Sequence, residues 1–385
     1  MDYEKSDVRV QKRNRAFRIV ILVLVLVFST ILGILHQHPT SWKPPGVDAF
    51  CPFGGIESAL SLVTTGRMLS RIAWSSFTLL GAVLVLAVLF RRSFCGYLCP
   101  LGTLQELFGR LGKRIFKKRY TVSPGVDRPA RYLKYAMLVV FVGLSWVLGT
   151  LVIRPYDPWA AYHHLTSSDL FVEFSIGFGV LVLSLLGSMF LERVFCRYLC
   201  PMGAFLALIN RIGRFRVKRN TDSCIQCRKC DRVCPVDIEV SAVEQVQSSE
   251  CINCNECVNV CPVRDTLYIG TRRDTKIGSG LFMLITVLIF AAVVAVASFT
   301  GGFEWKQKTI EETTAETGIF DPEAIKGSDT FRSVSEITGI EKELFMDEFD
   351  LSEEEFELPI KDSAHREGSE WETEEVREFV RKMIE

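Results

Sequence analysis

Residues 224–235 read CIQCRKCDRVCP, and residues 251–262 read CINCNECVNVCP. Each stretch has the form C-x2-C-x2-C-x3-C-P, in which three closely spaced thiolates bind one iron–sulfur cubane and the fourth is directed to the neighbouring one. The spacing therefore predicts two [4Fe–4S] clusters with crossed ligation. The expected ligands are Cys224, Cys227, Cys230 and Cys261 for the first cluster and Cys251, Cys254, Cys257 and Cys234 for the second. A structural zinc site is the alternative, but zinc ribbons use two separated cysteine pairs and do not need this tandem form.

Two further cysteine pairs repeat along the chain. Residues 94–102, FCGYLCPLG, return 101 residues later as residues 195–203, FCRYLCPMG. Proline disfavours helical geometry in the residue before it, so Cys99 and Cys200 are expected at helix breaks. The repeat predicts that these two thiols and those of Cys95 and Cys196 come together. A third cluster bound by the four thiols is one interpretation; the others are that the pairs orient the two-cluster segment, contact its clusters or act as redox thiols.

Five apolar stretches are predicted to span a membrane. Apolar residues make up 48% of the chain and charged residues only 23%, which argues against a disordered protein or a single-domain cytosolic enzyme. A bilayer core of about 30 Å needs about 20 helical residues. Stretches near that length lie at residues 17–35, 72–90, 135–153, 170–191 and 277–299. The first is expected to be retained as an anchor, because no small-residue cleavage site follows it.

Basic residues predict the orientation of these spans. Lys and Arg are concentrated before the first span and after the second and fourth, so the positive-inside rule places these segments, with the cysteine motifs, in the cytoplasm of a prokaryote. The tail after the fifth span is then outside. The Lys and Arg residues that flank the repeated cysteine pairs are expected to set this topology and to contact membrane lipid.

Charge and motif positions divide the chain into segments. Residues 1–300 carry 35 Lys and Arg against 20 Asp and Glu, whereas residues 301–385 carry 10 against 25. The predicted fold is a mainly α-helical polytopic membrane protein with a duplicated two-helix repeat, a fifth span, an inserted two-cluster domain of α+β type and a small helical C-terminal domain. The segments are a basic cytoplasmic arm (1–16), membrane repeat one (17–120), membrane repeat two (132–217), the two-cluster domain (218–275), the fifth transmembrane helix (277–299) and an acidic helical extracytoplasmic tail (301–385). In the tail, a helical stretch is expected near residues 330–345, ended or bent at Gly339.

Polar residues on the predicted outer side are candidates for binding a cofactor. They are Cys51, which has no second outer cysteine to pair with, together with His163, His164 and Glu173. Ionisable groups at membrane depth are functional candidates, and neutral His or carboxylate can accept the protons that quinol oxidation releases. A quinone site is therefore one interpretation. The alternative is that Cys51 fills a buried turn and that the others are ordinary interfacial polar residues.

The set of motifs, with the outer turn Cys51-Pro52-Phe53-Gly54-Gly55, resembles the NapH/NosR-like family of polytopic membrane ferredoxin-type proteins. This family includes the membrane quinol dehydrogenase subunit of periplasmic nitrate reduction, the membrane regulator of nitrous oxide respiration and the oxidase-assembly iron–sulfur protein. The resemblance covers about residues 15–275 and implies electron transfer between a membrane or cytoplasmic donor and an extracytoplasmic process. It carries over, as metal ligands, the eight cysteines of the tandem motif and Cys95, Cys99, Cys196 and Cys200. The sequence departs from two branches of the family. No large immunoglobulin-like domain, as in the assembly branch, is predicted in the tail, and no flavin-binding domain, as in the regulator branch, is predicted before the first span.

The leading hypothesis is an iron–sulfur electron-transfer subunit, and one form of this hypothesis is a quinol dehydrogenase component. Electrons would pass between the cytoplasmic [4Fe–4S] clusters and a membrane quinone or an extracytoplasmic redox partner, which the acidic tail could bind if that partner is basic. No catalytic side chain and no nucleic-acid partner are predicted. Two alternatives stay open: an accessory metal reductase or assembly factor for a respiratory enzyme, and a redox-responsive membrane regulator.

Overall fold

The computed structural model describes most of the chain as two compact units, Met1–Trp305 and Lys306–Glu385. The described residues are 6–37, 43–65, 74–118, 120–167, 169–271, 273–307, 310–317, 320, 322, 325, 327, 329–364, 371 and 373–384. The helices of the first unit are α1 (Val8–Gln37), α2 (Pro52–Thr65), α3 (Trp74–Phe90), α4 (Ser93–Tyr97), α5 (Pro100–Phe116), α6 (Pro124–Ala130), α7 (Leu133–Leu148), α8 (Pro158–His163), α9 (Asp169–Val172), α10 (Ser175–Phe190), α11 (Val194–Tyr198), α12 (Pro201–Ile209), α13 (Lys229–Val233) and α14 (Ser279–Phe299).

Each predicted apolar stretch contains a helix. Among the described residues, three helical segments are long and apolar enough to cross a membrane, namely α1, α6 with α7, and α14. Helices α3 and α10 are apolar but shorter, with 17 and 16 residues. Helix α7 ends before the predicted boundary at residue 153, because Gly149 adopts a left-handed conformation (φ 68°) that caps it.

The two C-x3-C-P motifs form the same local structure. A short helix, α4 or α11, carries the first cysteine of each motif, and the second cysteine caps the next helix. Cys99 and Cys200 are both extended (ψ 114° and 111°), and a proline occupies the first turn of the helix that follows. The predicted helix breaks at these two cysteines are confirmed.

Helix α5 packs closely against α10, and α3 packs against α2 and α14. Glycine permits the first contact: a Cβ atom at Gly112 would lie 1.9 Å from the carbonyl oxygen of Met189, so no larger residue fits without moving a helix. Small residues of this kind allow close helix approach in membranes, where packing rather than the hydrophobic effect holds helices together.

The two-cluster segment joins a small antiparallel sheet to two cysteine loops. Its strands are β1 (Arg216–Arg219), β2 (Leu267–Gly270) and β3 (Lys276–Ile277), in the order β1-β2-β3. Val217 pairs with Ile269, and Val217, Val240, Val246 and Leu267 form a core with several of the cysteines. The sheet begins directly after repeat two and ends directly before α14, so it fixes the segment at the predicted cytoplasmic end of the bundle.

The second unit is a small helical domain with its own core. Its helices are α15 (Ile310–Thr317), α16 (Phe331–Thr338), α17 (Lys342–Phe349), α18 (Ile360–Ala364) and α19 (Thr373–Ile384). Phe331, Phe345 and Phe349 are buried at its centre. Gly339, with φ 72°, ends α16 as predicted, and Thr330 caps its first turn.

Candidate iron–sulfur site

Four cysteines of the tandem motif line one cavity. They are Cys224, Cys227 and Cys230 from the first stretch and Cys261 from the end of the second. The loop curls around this cavity because Gln226 and Arg228 adopt left-handed backbone conformations, with φ near 54° and 53°. The chain therefore groups the four thiols that the crossed assignment gave to the first cluster.

The other four cysteines form a second group. Cys234 and Cys254 pack together with Val236 and Ile252, and Cys257 interacts electrostatically with Cys254, Cys234 and Cys251. This loop repeats the left-handed positions of the first, at Asn253 and Asn255 (φ 51° and 59°). Burial raises the pKa of the Cys254 thiol to about 12, so the thiolate there needs a compensating positive charge.

The two groups do not have the geometry of a single-ion site. No three His, Cys, Asp or Glu side chains within the described ranges come close enough to bind one metal ion. In a tetrahedral zinc site with Zn–S bonds of about 2.3 Å, all four sulfurs would be in contact around one ion. Thiols arranged around a cavity fit a larger group with several metal atoms.

The structure brings the four membrane cysteines together. The thiol of Cys200 interacts electrostatically with Cys196, Cys95 and Cys99. The Gly102 and Gly203 amides donate to Cys99 Sγ and Cys200 Sγ, at 3.5 and 3.3 Å. Gln105 Nε2 donates to Cys196 Sγ at 3.4 Å. Cys-Pro-x-Gly capping thus aims both thiols at the start of a helix, where N–H groups and the helix dipole favour negative charge.

The C-x3-C-P motif of repeat one contacts the second group of cysteines in the tandem motif. A Cβ atom added at Gly96 would lie 2.6 Å from the carbonyl oxygen of Ile252 and 3.3 Å from Cys254 Cα. Cys95 packs against the group of buried side chains that contains Cys234 and Cys254. The absence of a side chain at Gly96 therefore lets the two groups of thiols become direct neighbours.

Buried arginines beside the cysteine pairs correct one expectation from the sequence. Arg91, Arg92, Arg193 and Arg197 are each at most 3% exposed, so they do not contact lipid. Arg91 donates to the carbonyl oxygens of Val246 and Ser248 at 2.9 and 3.0 Å. Arg91, Arg92 and Arg197 thus dock the two-cluster segment onto the membrane helices, and Arg193 joins repeat two to repeat one.

Two buried acidic residues pair with these cations, and neither was predicted from the sequence. Glu250 accepts from Lys134 Nζ at 2.5 and 2.6 Å and lies 3.4 Å from Arg92. Glu106 pairs with Arg18 at 2.6 Å and with Arg193 at 2.8 Å. Burial alone would raise the pKa of Glu106, but the two arginines hold it well below its usual range. The sequence signal for Glu106 is that it is the single acid in the basic stretch 101–119, and Glu250 has no comparable signal.

The outer candidates lie at the opposite end of the helices but do not form one closed site. His164 stacks on Phe174 with ring centroids 4.1 Å apart, and Glu173 is paired with Arg154. His163 Nε2 is buried and, within the described residues, has no hydrogen-bond partner. Burial lowers the pKa of His163 to about 3, which keeps its ring neutral.

Cys51 has different neighbours from the two histidines. Burial and the nearby Asp157 raise the pKa of its thiol to about 12. Burial also raises the pKa of Asp157 to about 6 and that of Glu57 to about 8. Ser145 Oγ donates to Glu57 Oε1 at 2.7 Å, while Oε2 has no partner among the residues described. Glu57 was not predicted from the sequence, where it is a single acid in an otherwise apolar stretch.

Comparison with known proteins matches these segments to two family descriptions. A 4Fe-4S binding domain matches residues 72–119 and again residues 174–220, and a 4Fe-4S dicluster domain matches residues 216–274. No solved structure matches.

Several named proteins are similar to this chain over part of its length. The candidate electron transport protein YccM of Escherichia coli K12 is 31% identical over 279 residues, which cover 70% of this chain and 77% of YccM. The methylamine utilization ferredoxin-type protein MauN of Methylobacillus flagellatus is 29% identical, over 57% of this chain and 74% of MauN. The ferredoxin-type protein NapH of Haemophilus influenzae is 29% identical, over 45% of this chain and 59% of NapH.

Proposed function

Because the chain belongs to the ferredoxin-type iron–sulfur proteins of membranes, we propose that it passes electrons between two cytoplasmic [4Fe–4S] clusters and a membrane quinone or an extracytoplasmic redox partner. The observation that carries this proposal is the direct contact of the membrane cysteine motif, at Gly96, with the backbone of Cys254. If the two-cluster segment (residues 218–275, called the ferredoxin segment from here on) served only to bind metal, it would not need to be joined to the thiols of the C-x3-C-P motifs by a residue without a side chain.

Eight cysteines would hold the two clusters in the crossed arrangement. Cys224, Cys227, Cys230 and Cys261 would bind the first, and Cys251, Cys254, Cys257 and Cys234 the second. The shared cavity of the first four supports this grouping. The clusters, when bound, supply one-electron redox chemistry. The chain's own contribution is to bury the thiols, exclude water and fix the distance between the two groups.

The four membrane cysteines would hold a third cluster. Their mutual proximity, their common Cys-Pro capping geometry and the amide donors to Cys99 and Cys200 support a sulfur-rich anionic group at this position. In this proposal the two membrane repeats form one duplicated body, with two cysteines contributed by each repeat. The third group then lies between the ferredoxin segment and the helices that cross the membrane.

A group at the outer side would complete the transfer. About 30 Å of hydrocarbon separates the two faces of a membrane, too far for one electron step from the inner face. We assign a quinone or another outer cofactor to the surroundings of Cys51, His163, His164 and Glu173. In this proposal the protein lies in the inner membrane and its tail is external, as predicted from the distribution of charge. The neutral His163 ring, whose buried Nε2 has no hydrogen-bond partner among the described residues, is suited to form a hydrogen bond with a quinone, whereas its lowered pKa does not favour a role as proton acceptor.

Iron content of the purified full-length protein tests the cluster assignment. Anaerobically prepared protein is expected to contain about twelve irons, and a Cys→Ser change at Cys95, Cys99, Cys196 or Cys200 is expected to remove about four of them. Cys51→Ser is the matched control, because it makes the same chemical change at a buried cysteine outside the proposed ligands; it should keep all twelve.

Three outcomes would contradict parts of this assignment. Stoichiometric zinc without sulfide would refute the iron–sulfur reading of the tandem motif. Eight irons in the unsubstituted protein, with all four membrane variants still active in electron transfer, would show that the four cysteines are not a redox unit. Eight irons with activity lost in each variant would mean that the thiols act as a contact or a dithiol without a cluster.

A further inference from the structure

Two arginines occupy equivalent positions in the two repeats. Arg92 and Arg193 are separated by the same 101 residues as the cysteine motifs, and each lies two residues before its motif begins. They are 2% and 0% exposed. Full burial of two guanidinium groups is costly unless anionic partners and hydrogen bonds compensate them.

The two arginines reach across to the opposite repeat. A Cβ atom at Gly102, in the first turn of α5, would lie 3.0 Å from Arg193 Nη1. A Cβ atom at Gly203, in the first turn of α12, would lie 3.0 Å from Arg92 Nη2. Each guanidinium therefore lies beside the helix that is capped by the other repeat's second cysteine, Cys99 or Cys200.

Each arginine also keeps one donor unused. Arg92 Nη1 donates to the Ser249 carbonyl oxygen and lies near Glu250, and Arg193 donates to Cys95 O and Glu106. The Nε–H groups of both Arg92 and Arg193, however, are buried and have no hydrogen-bond partner among the described residues. Leaving a buried charged donor without a hydrogen bond costs more free energy than leaving a neutral donor without one. Two unpartnered Nε–H groups at equivalent positions in the repeats therefore indicate a shared acceptor.

The four thiols of the C-x3-C-P motifs lie in the electrostatic surroundings of the two arginines. Arg92 interacts electrostatically with Cys95, Cys200 and Cys196, and Arg193 interacts with Cys196 and Cys99. The adjacent Arg91 provides a contrast, since its Nε donates to Asn210 Oδ1 at 2.7 Å and its other nitrogens donate to carbonyl oxygens. Arg197 Nε is also buried without a hydrogen-bond partner among the described residues, so Arg92 and Arg193 are distinguished by combining an unused Nε–H with equivalent positions in the two repeats and electrostatic interaction with the four thiols.

We propose that Arg92 and Arg193 are a matched pair of positioning residues that donate N–H bonds to the sulfur atoms of an anionic iron–sulfur cluster held by Cys95, Cys99, Cys196 and Cys200, and that they raise its reduction potential. This rests on the third cluster proposed above. Such a cluster carries a net negative charge in both redox states, and one-electron reduction adds a further negative charge. Nearby positive charge and hydrogen bonds to sulfur stabilise the reduced state more than the oxidised one.

A redox titration of the full-length protein, followed by electron paramagnetic resonance with dithionite as reductant, tests the pair. Arg92→Gln and Arg193→Gln are each expected to weaken reduction of the membrane cluster at least about tenfold, which is 59 mV for one electron. Because the arginines are equivalent, both changes should lower the potential. Arg110→Gln is the matched control: Arg110 also pairs with Glu106 but is partly exposed and is not among the charges acting on these thiols. It should leave the potential unchanged.

Lysine variants separate the charge from the hydrogen bond and serve where a glutamine variant does not accumulate. Arg92→Lys and Arg193→Lys keep the positive charge and can still pair with Glu250 or Glu106, but they lose the Nε–H group. The reduction potential of the membrane cluster is therefore expected to fall less than in the glutamine variants, and its spectrum is expected to change. Twelve irons with unsubstituted potential and spectrum in the arginine variants would overturn the role of the pair and leave the third cluster standing. Eight irons in the unsubstituted protein would overturn both.

Discussion

Replacing Glu250 by Gln should loosen the ferredoxin segment from the membrane helices. Glu250 is the shared acceptor of Lys134, which is 0% exposed, and of Arg92. The amide has nearly the same shape but no charge, so both cations stay buried without their anion. Breaking a buried pair in this way costs about 3–5 kcal/mol. Opening of the interface should become more than about a hundredfold more frequent, because each 1.4 kcal/mol is a factor of about ten.

Hydrogen exchange of the full-length protein in lipid nanodiscs measures this opening. Amides near the docked loop, including that of Val246, which donates to Val217 O at 2.9 Å, should exchange faster in Glu250→Gln. Asp274→Asn is the control, since it breaks an exposed pair with Lys218 in the same segment and should have little effect. Adding Lys134→Met to Glu250→Gln should restore part of the protection by removing one unpaired charge.

The pH dependence follows from the direction of the pKa shift. Burial opposes ionisation of Glu250, but Arg92 and Lys134 lower its pKa below the ordinary value. A depressed carboxyl pKa contributes stability that is present above the unfolded pKa and lost as the pH falls through the folded one. The difference in the free energy of interface opening between the original protein and Glu250→Gln should therefore be constant from about pH 6 to 8. Exchange in the variant as slow as in the Asp274→Asn control would refute the buried-charge reasoning.

Two further predictions concern the contact at Gly96 and the topology of the chain. Gly96→Ala should destabilise docking by about 1–3 kcal/mol, because its Cβ would meet the backbone of Ile252 at 2.6 Å, and should also slow electron transfer from the ferredoxin segment. Gly81→Ala, where a Cβ has no neighbour within 4 Å, is the control, and equal hydrogen exchange in the two variants would contradict the predicted contact. A reporter that is active only outside the cytoplasm, fused after Glu385, should be active; activity of a cytoplasmic reporter at that position would mean that the five-span topology is wrong.

Local chemistry explains what could be predicted from the sequence. A proline forces the residue before it out of helical geometry, so the positions of Cys99 and Cys200 followed from two adjacent letters. Gly339 ended α16 for a similarly local reason, since glycine accepts a left-handed conformation without a steric cost. The grouping of Cys224, Cys227 and Cys230 also followed from spacing, because only two residues separate successive cysteines, whereas Cys261, 31 positions after Cys230, followed from the crossed ligation of the tandem motif.

Burial of charge could not be predicted in the same way. The positive-inside rule counts Lys and Arg near span ends, and an arginine that faces lipid headgroups contributes the same count as one enclosed by protein. Arg91 is buried because Asn210 and residues 246–248, about 120 and 155 positions later, fold back over it. Its role depends on the docking of two segments, and neither segment alone carries a signal of that docking.

The order of segments along the chain also differs from their order in space. The amide of Ser6 donates to Pro262 O at 3.0 Å, and Gln11 Nε2 donates to Cys261 O at 2.6 Å, so the N-terminal arm lies against the last cysteine of the tandem motif. Gly96 of repeat one, rather than repeat two, contacts Cys254. The ferredoxin segment directly follows repeat two in sequence, yet it is held by residues from the arm and from both repeats. Neither repeat could therefore form the proposed path alone: repeat one supplies the contact with Cys254, and repeat two supplies the remaining two thiols and the arginine that lies beside α5.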